Sequence, residues 1–400
     1  LFTHGRTEDN LNKDVVIIGA NEFQLPLVLK AKQRGFFTHV FAWREGAVAA
    51  PEAYRFYPIS ITNIGEILDF CRGISPVAVV SVGSDLAAIT VNRLANALGL
   101  PSNPPATASI ATNKFEMRGA LKSRGVPTPA FCSVGSGEDA YKAAEGMRLP
   151  IIVKPTDRSG SRGVTKLDSL QGLPKAVEEA IGHSFEKRAI IEEFAEGEEY
   201  SCECISQNGV HHVLAVTKKF TTGAPHFIET GHIQPAQLDD KQLDNIRSAV
   251  FAALDALQVT TGASHTEFKL QKDGSVFIIE CGARMGGDCI GSDLVELSTG
   301  YDYLGMTLDA ALGNKIELMP NAGTKPRVAA IRFIFNKEDL ARLEQLRGDP
   351  KLKKKLVRVS DISMGADNAV GDSSARFGFY IIAGDSYDEA AELAGLNDIG

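Results

Sequence analysis

The 400-residue chain has little that would tie it to a membrane, an oxidising compartment or a nucleic acid. No apolar run reaches the roughly 18 residues that a membrane-spanning helix needs. The opening LFTHGRTEDN lacks the basic-then-apolar order of a secretory signal and reads as a processed or expression-derived tail. Six cysteines at irregular spacing do not form a disulfide framework and suit reduced thiols in a cytoplasm. Cys202 and Cys204 share a strand face, but no second Cys or His pair completes a zinc site. A net charge of −8 with both signs mixed along the chain argues against a general nucleic-acid binder. Two glycine signatures are also missing. The first loop, GANEFQ, keeps only Gly19 of the three glycines of a dinucleotide fingerprint, and no Gly-Lys-Ser/Thr marks a Walker loop. No internal repeat or low-complexity tract occurs.

What is present is ordinary globular material, 44% apolar, long enough for two to four domains. Near the N-terminus, short apolar strands alternate with helices. DVVIIG (Asp14–Gly19) leads to a helix with Leu25, Val28 and Leu29 on one face and Gly35 at its end. A strand at 38–42 follows. Asn63 and Glu66 have capping-box spacing for a helix to about Cys71. Val77–Val82 is a strand, and Asp85 is placed to cap a helix running to Gly99. Such alternation predicts a parallel sheet covered on both faces over about residues 12–105. This unit either positions a small substrate or is purely structural.

Prolines 101, 104 and 105 mark a linker. A helix at Asn113–Arg124 carries Lys114 in its first turn, where a basic residue opposes the helix dipole. It is either a surface lysine or a partner for an anion. LPIIVKP (149–155) is an apolar strand interrupted by Lys154, and a lysine in a buried run is seldom unpaired. DRSGSRGV follows; it is either a surface turn or a mobile loop turning backbone N–H groups toward phosphates. AIIEEF (189–194), Tyr200–Ser206 and Val210–Phe220 read as strands, the last two joined by Asn208-Gly209. Acidic residues 192, 193, 196, 198 and 199 crowd the connection, either as a solvated loop or as a hinge. FIETGHIQPAQL (227–238) reads as irregular, with Glu229 and His232 in it. Lys241–Gln258 is an amphipathic helix on the Leu243, Ile246, Val250, Leu254 and Leu257 stripe. Helices at about 293–298 and 301–312 follow. Beyond Lys325, strands at 328–335 and 377–383 form a smaller lobe with no site residue, ending in a terminal helix.

The stretch Ser264–Asp288, SHTEFKLQKDGSVFIIECGARMGGD, organises the rest. Asp273-Gly274 between alternating apolar runs predicts a tight hairpin. A two-residue turn sets Lys272 opposite Ser275, Leu270 opposite Phe277 and Glu267 opposite Glu280. Opposed carboxylates repel, and a hard cation is the usual compensation; Mg²⁺ takes one or two carboxylates plus phosphate oxygens. Arg284, four residues past Glu280, is placed to meet negative charge on a transferring phosphoryl group. An exposed hairpin with scattered charge fits the same residues.

The order of these pieces resembles the ATP-grasp superfamily: lysine on a helix, lysine on a strand, small-residue loop, acidic hinge, paired carboxylates on a hairpin. The biotin-carboxylase and carbamoyl-phosphate-synthase branch is the nearest, and ECGAR, HTEFKL and ETGH are similar to L-amino-acid ligases. The resemblance implies a mixed α/β and α+β fold. A Rossmann-like parallel α/β domain would span 12–112, a small lid subdomain with its leading helix 113–195, a large subdomain with the hairpin 196–322, and a C-terminal α+β lobe 323–400. It also implies roles. Lys114 and Lys154 would contact ATP phosphates, and Ser159, Gly160, Ser161 and Gly163 would form the closing lid. Glu192, Glu193 and Ala195 would line the adenine hinge and Glu199 would hold the ribose. Glu267 and Glu280 would bind Mg²⁺ (or Mn²⁺), with Arg284 and Glu280 catalytic. Glu229, His232, Arg284, Gly286 and Gly287 would line the amino-acid pocket. One departure stands out. Many members place Asn two residues after the bridging Glu, and here that residue is Gly282.

The function so implied is an ATP- and Mg²⁺-dependent carboxylate–amine ligase, acting on amino acids through an acyl phosphate and releasing ADP and phosphate. Its partners would be a small-molecule carboxylate and amine, with no nucleic acid and no membrane, in a cytoplasmic protein of a branch that is often dimeric. One alternative forms carboxyphosphate from bicarbonate; no Met-Lys biotinylation dipeptide occurs in the chain. A second is a nucleotide-binding module without turnover.

Overall fold

The computed structural model describes residues 13–224, 226–323, 325–363 and 373–396. The N-terminal tail and the last four residues, read above as a processed tail and a helix end, lie outside them.

The N-terminal unit runs β1 (Asp14–Ile18), α1 (Leu25–Gln33), β2 (Phe37–Phe41), β3 (Arg55–Tyr57), α2 (Ile64–Ile74), β4 (Ala78–Val80) and α3 (Asp85–Leu98). Its strands lie in the order β3-β2-β1-β4, all parallel, as the alternation requires. Three local expectations need correction. Leu29 is 43% exposed; Leu27, Val28 and Ala31 are the inward residues of α1. Asn63 makes no side-chain cap, because its amide is drawn to Glu66 instead, at 2.5 Å. Ser84, not Asp85, caps α3 by accepting from the Ala87 N–H. That releases the Asp85 carboxylate for other use.

α4 (Pro105–Ile110) fills the proline-marked link, and α5 (Lys114–Ser123) starts on an Asn113 cap. Next come β5 (Phe131–Val134), α6 (Ala140–Ala143), β6 (Ile151–Pro155), β7 (Thr165–Leu167), α7 (Leu173–His183) and β8 (Ala189–Glu193). They build an antiparallel sheet in the order β5-β8-β6-β7. Val153 and Ile191 from the sheet and Leu173 and Val177 from α7 share its core.

A larger antiparallel sheet follows: β9 (Glu198–Gln207), β10 (Val210–Thr221), β11 (Glu229–Gln234), β12 (Gly262–Leu270) and β13 (Val276–Gly282), with α8 (Asp240–Ala256) packed on one face. A π-helical turn at Ile290–Leu294 leads into α9 (Val295–Thr299), and α10 (Tyr303–Leu312) packs back on the N-terminal unit, sharing its core. β14 (Val328–Ile334), α11 (Lys337–Gly348), β15 (Leu356–Val359), β16 (Gly378–Gly384) and α12 (Tyr387–Ala394) complete the described chain. The sheet order is β13-β12-β9-β10-β11-β14-β16-β15, so the sheet runs through the boundary expected near residue 322.

Two further corrections concern this sheet. The segment read as irregular at 227–238 contains β11, which joins β10 to β14. Its glycine and glutamine weaken the strand pattern, and pairing on both sides overrides propensity. The hairpin also differs. Leu270 faces Val276 and Phe268 faces Ile278, one residue out of the expected register. The loop holds three residues, with Gly274 at φ +85, and the Gln271 N–H donates to Ser275 at 2.9 Å. A bulge between Glu267 and Phe268 absorbs the offset, so Glu267 faces Glu280 after all.

Candidate active site

One cleft of about 770 Å³ lies between the N-terminal unit and the two antiparallel sheets. Every residue singled out above as a site candidate lines it, except Gly163 and Gly286.

Its deepest charged group begins on α5. Lys114 and Arg118 are one helical turn apart and so share a face. Arg118 is wholly buried; its Nε donates to Glu192 at 2.5 Å and its Nη2 to the Ile279 carbonyl at 2.6 Å. Lys154, on β6, pairs with the same Glu192 at 2.6 Å. Burial alone would lift the Glu192 carboxyl; Arg118 and Lys154 outweigh it and hold the group at about 2. Burial depresses Lys154, whose pairing with Glu192 is offset by the positive Arg118 and Lys114 nearby. Lys114 Nζ stands 3.1 Å from Glu280 and donates to the Arg158 carbonyl at 2.9 Å.

The two hairpin glutamates are bracketed by cations. Lys219 bonds Glu267 directly and lies 3.4 Å from Glu199 and 3.7 Å from Glu229. Burial would raise Glu267, but Lys219 and then His265 hold it well below the usual carboxylate range. Glu199 also meets Lys269 at 2.9 Å. His265 sits between Glu267, at 3.1 Å, and the buried Glu203, which it bonds closely. Burial pushes His265 down; Glu203 reverses this, and the imidazole rises to about 9. Gly286 belongs to this pair rather than to the cleft. Its N–H donates to Glu203 at 3.0 Å, and a Cβ there would come within 2.8 Å of both Glu203 and His265.

Arg284 turns toward the N-terminal unit. Its Nε donates to Asp85 at 2.7 Å, and the pairing with Asp85 keeps its guanidinium charged against burial. Gly282 allows this fold-back. A Cβ on it would touch the guanidinium carbon at 3.4 Å, so a longer amide would crowd the pair.

The far end of the cleft gathers Glu229, His232, Asp288 and Arg376. Arg376 bonds Asp288 at 2.8 Å and Glu229 at 3.2 Å, and lies over the Phe333 ring at 3.6 Å. Burial would raise Asp288; Arg376 holds it far below the usual range, and burial lowers His232. Ser373, three residues before Arg376, donates to the Gly160 carbonyl at 3.2 Å, and Ser161 donates to the Phe227 carbonyl at 3.1 Å. The glycine loop is thus tethered to both the large sheet and the C-terminal lobe. Gly160 and Gly163 have φ +73 and +66, which suits glycine. Gly163 packs on His183 instead of facing the cleft.

Sequence reading missed Arg118, Glu203, Lys219, His265, Asp288 and Arg376. A signal existed for two of them. Arg118 shares the Lys114 face at i+4, and Lys219 interrupts an apolar strand as Lys154 does. The other four acquire meaning only through strand pairing or packing.

Glu267 and Glu280 suit a magnesium ion held with phosphate. They are opposed hard oxygen donors, each partly open to the cleft at 22% and 23% side-chain exposure. Among the described residues no third His, Cys, Asp or Glu joins them as a preformed cage, so phosphate and water would complete the shell.

Residues 147–293 match the ATP-grasp domain, so the chain carries a domain of that family. It is 30% identical over 243 residues to alanine–anticapsin ligase of Bacillus subtilis, covering 54% of this chain and 50% of that one. Over 251 residues it is 26% identical to D-alanine–D-alanine ligase of Ralstonia nicotianae, covering 59% and 74%. The chain spans about half the length of the first curated relatives it matches. Among solved structures, the L-amino acid ligase from Bacillus licheniformis superposes with a TM-score of 0.80 at 25% identity, over 98% of both chains.

Proposed function

We propose that this chain is an ATP- and Mg²⁺-dependent carboxylate–amine ligase acting on amino acids. The observation that carries this reading is the meeting, in one cleft, of an opposed carboxylate pair, two buried lysines and an arginine. That set suits phosphoryl transfer, in which positioning and electrostatics do nearly all the catalysis.

In this scheme Glu267 and Glu280 would hold the magnesium, which would supply charge neutralisation during phosphoryl transfer. Lys114 and Lys154 face the phosphates. Arg118, through Glu192, fixes Lys154 beneath them. The Glu193–Ala195 backbone meets the adenine edge, and Glu199 meets the ribose. The loop of Ser159, Gly160 and Ser161 covers the phosphates and excludes water, which would otherwise hydrolyse an acyl phosphate. Arg284 faces the carboxylate as it takes the phosphoryl group and stabilises the developing charge. Glu229, His232 and Gly287 border the amino-acid substrates. The amine then attacks the acyl carbon and phosphate leaves; no enzymic nucleophile is required.

The test is phosphate release with ATP and Mg²⁺ across amino acids, singly and in pairs, with bicarbonate as a separate arm. Release that requires a particular pair, with a dipeptide mass appearing, is the expected result. Release with bicarbonate alone would reassign the protein to carboxyphosphate formation. ATP binding without release in any arm would overturn the amino-acid ligase reading.

A further inference from the structure

One face of the large sheet carries a run of buried polar contacts that the phosphate and substrate groups do not account for. His265 on β12 stands directly opposite Glu203 on β9, and Glu267 follows His265 two residues on, on the same face. Glu203 Oε1 bonds His265 Nδ1, and its Oε2 accepts the Gly286 N–H at 3.0 Å. His265 Nε2 reaches Glu267 Oε1 at 3.1 Å. Carboxylates only accept, so the ring donates from both nitrogens and fixes the spacing of the two acids. A continuous chain of bonds thus runs from Glu267 to the backbone of the turn after β13.

Both ends of this chain are set to respond. Lys219 and His265 bond the same oxygen of Glu267, Oε1, and among the described residues nothing donates to its Oε2, which is left for a cation. At the other end, Arg284 Nη1 donates to the Met285 carbonyl at 3.2 Å, and that carbonyl also accepts from the Gly83 N–H at 3.2 Å. The turn is clasped between the sheet and the N-terminal unit, with Arg284 bound into it. Adhesion between strands does not explain the chain. The next pair along the same face, Ile205 opposite Ala263, is apolar and buried. Charges as buried as Glu203 and His265 hold strands together no better than apolar packing of like volume does.

We propose that Glu203 and His265 are positioning residues, a buried strut that couples a divalent cation at Glu267 to the turn carrying Arg284. The proposal rests on the magnesium assignment of the reading above. It adds that metal loading sets the turn and, by reciprocity, that the turn sets metal affinity. Arg284 would then be aligned only when the metal–nucleotide end of the cleft is filled.

The experiment takes the full chain with β,γ-imido-ATP, in Mg²⁺ or in EDTA. Hydrogen–deuterium exchange follows peptides spanning residues 283–289, and calorimetry gives the gain in analogue affinity that Mg²⁺ confers. In the parent, Mg²⁺ is expected to slow exchange at this turn about fivefold or more. His265→Gln keeps one donor but turns an amide oxygen toward the second carboxylate. It is expected to cancel the slowing and cut the Mg²⁺ gain roughly tenfold. Gly286→Ala tests the strut from its other end, where a Cβ would sit 2.8 Å from both Glu203 and His265. It is expected to cut the Mg²⁺ gain about fivefold although it touches no metal ligand. Thermal unfolding checks that both variants fold. A purely structural role would lower the melting temperature and leave the Mg²⁺ gain intact. Exchange at the turn that ignores Mg²⁺ in the parent overturns the proposal, as does a parent-level Mg²⁺ gain in either folded variant. If the Mg²⁺ effects appear but no amino acid supports phosphate release, the strut stands and the ligase reading falls. Amino-acid-dependent release with a turn indifferent to Mg²⁺ has the reverse meaning.

Discussion

The two ends of the cleft are built differently. At the end proposed to hold the phosphates, Lys114, Arg118, Lys154 and Glu192 stand on regular elements, and Glu192 binds Arg118 and Lys154 within 2.5–2.6 Å, with Arg118 and Glu192 essentially removed from solvent. At the end proposed to hold the amino acids, Asp85, Glu229, Asp288, Arg284 and Arg376 come from the N-terminal unit, β11, the turn after β13 and the C-terminal lobe. The first end suits a constant ligand. The second is assembled from segments that can vary separately, as groups that select a substrate often are. Buried, mutually paired charges hold one geometry because losing either partner strands the other.

The contrast can be broken by experiment, starting where the effect is largest. Glu280→Ala should lower kcat roughly 10³-fold with every amino acid alike, with circular dichroism unchanged. Turnover near the parent level would remove Glu280 from the magnesium site. Arg118→Met should destabilise the protein by about 3 kcal/mol and raise the KM for ATP more than that for amino acid, and Arg118→Lys should recover part of both. Denaturant unfolding and a two-substrate kinetic matrix measure this; equal shifts in the two KM values would deny the phosphate end its independence.

Arg376→Ala should act at the other end, raising the amino-acid KM about tenfold while leaving the KM for ATP within a factor of about two. An ATP effect of equal size would mean that the Ser373 tether to the glycine loop, not the substrate pocket, is what Arg376 supports.

The smallest effect is a pH dependence of stability. His265 is raised from 6.5 to about 9 in the fold, so its proton favours the native state. That stabilisation is complete below pH 6.5 and is lost as pH rises through 9. Melting temperature should therefore fall across that window, and His265→Gln should flatten that part of the profile. A variant with the parent's slope would place the titration elsewhere.

Much of the fold was legible because its signals are local. Strand–helix alternation announced the parallel sheet, and Asn208-Gly209 and Asp273-Gly274 announced hairpins. Glu267 opposite Glu280 was also foreseen, but through two departures that cancel: a three-residue loop shifts the register by one, and a bulge shifts it back. Loop length and bulges depend on what the strand packs against, and β12 pairs with β9 on its other side. β11 was illegible for a related reason. Its strand character comes from β10 and β14, more than its own residues.

By itself the sequence determined the strand–helix alternation of the N-terminal unit, the lysines, the glycine loop and the carboxylate hairpin, since helix period, strand alternation and turn chemistry act over a few residues. Only the tertiary structure decided the use of Asp85 and Arg376. They meet Arg284 and Glu229 across 199 and 147 residues of chain. Whether a charge finds a partner depends on which surfaces pack together, and no local pattern encodes that.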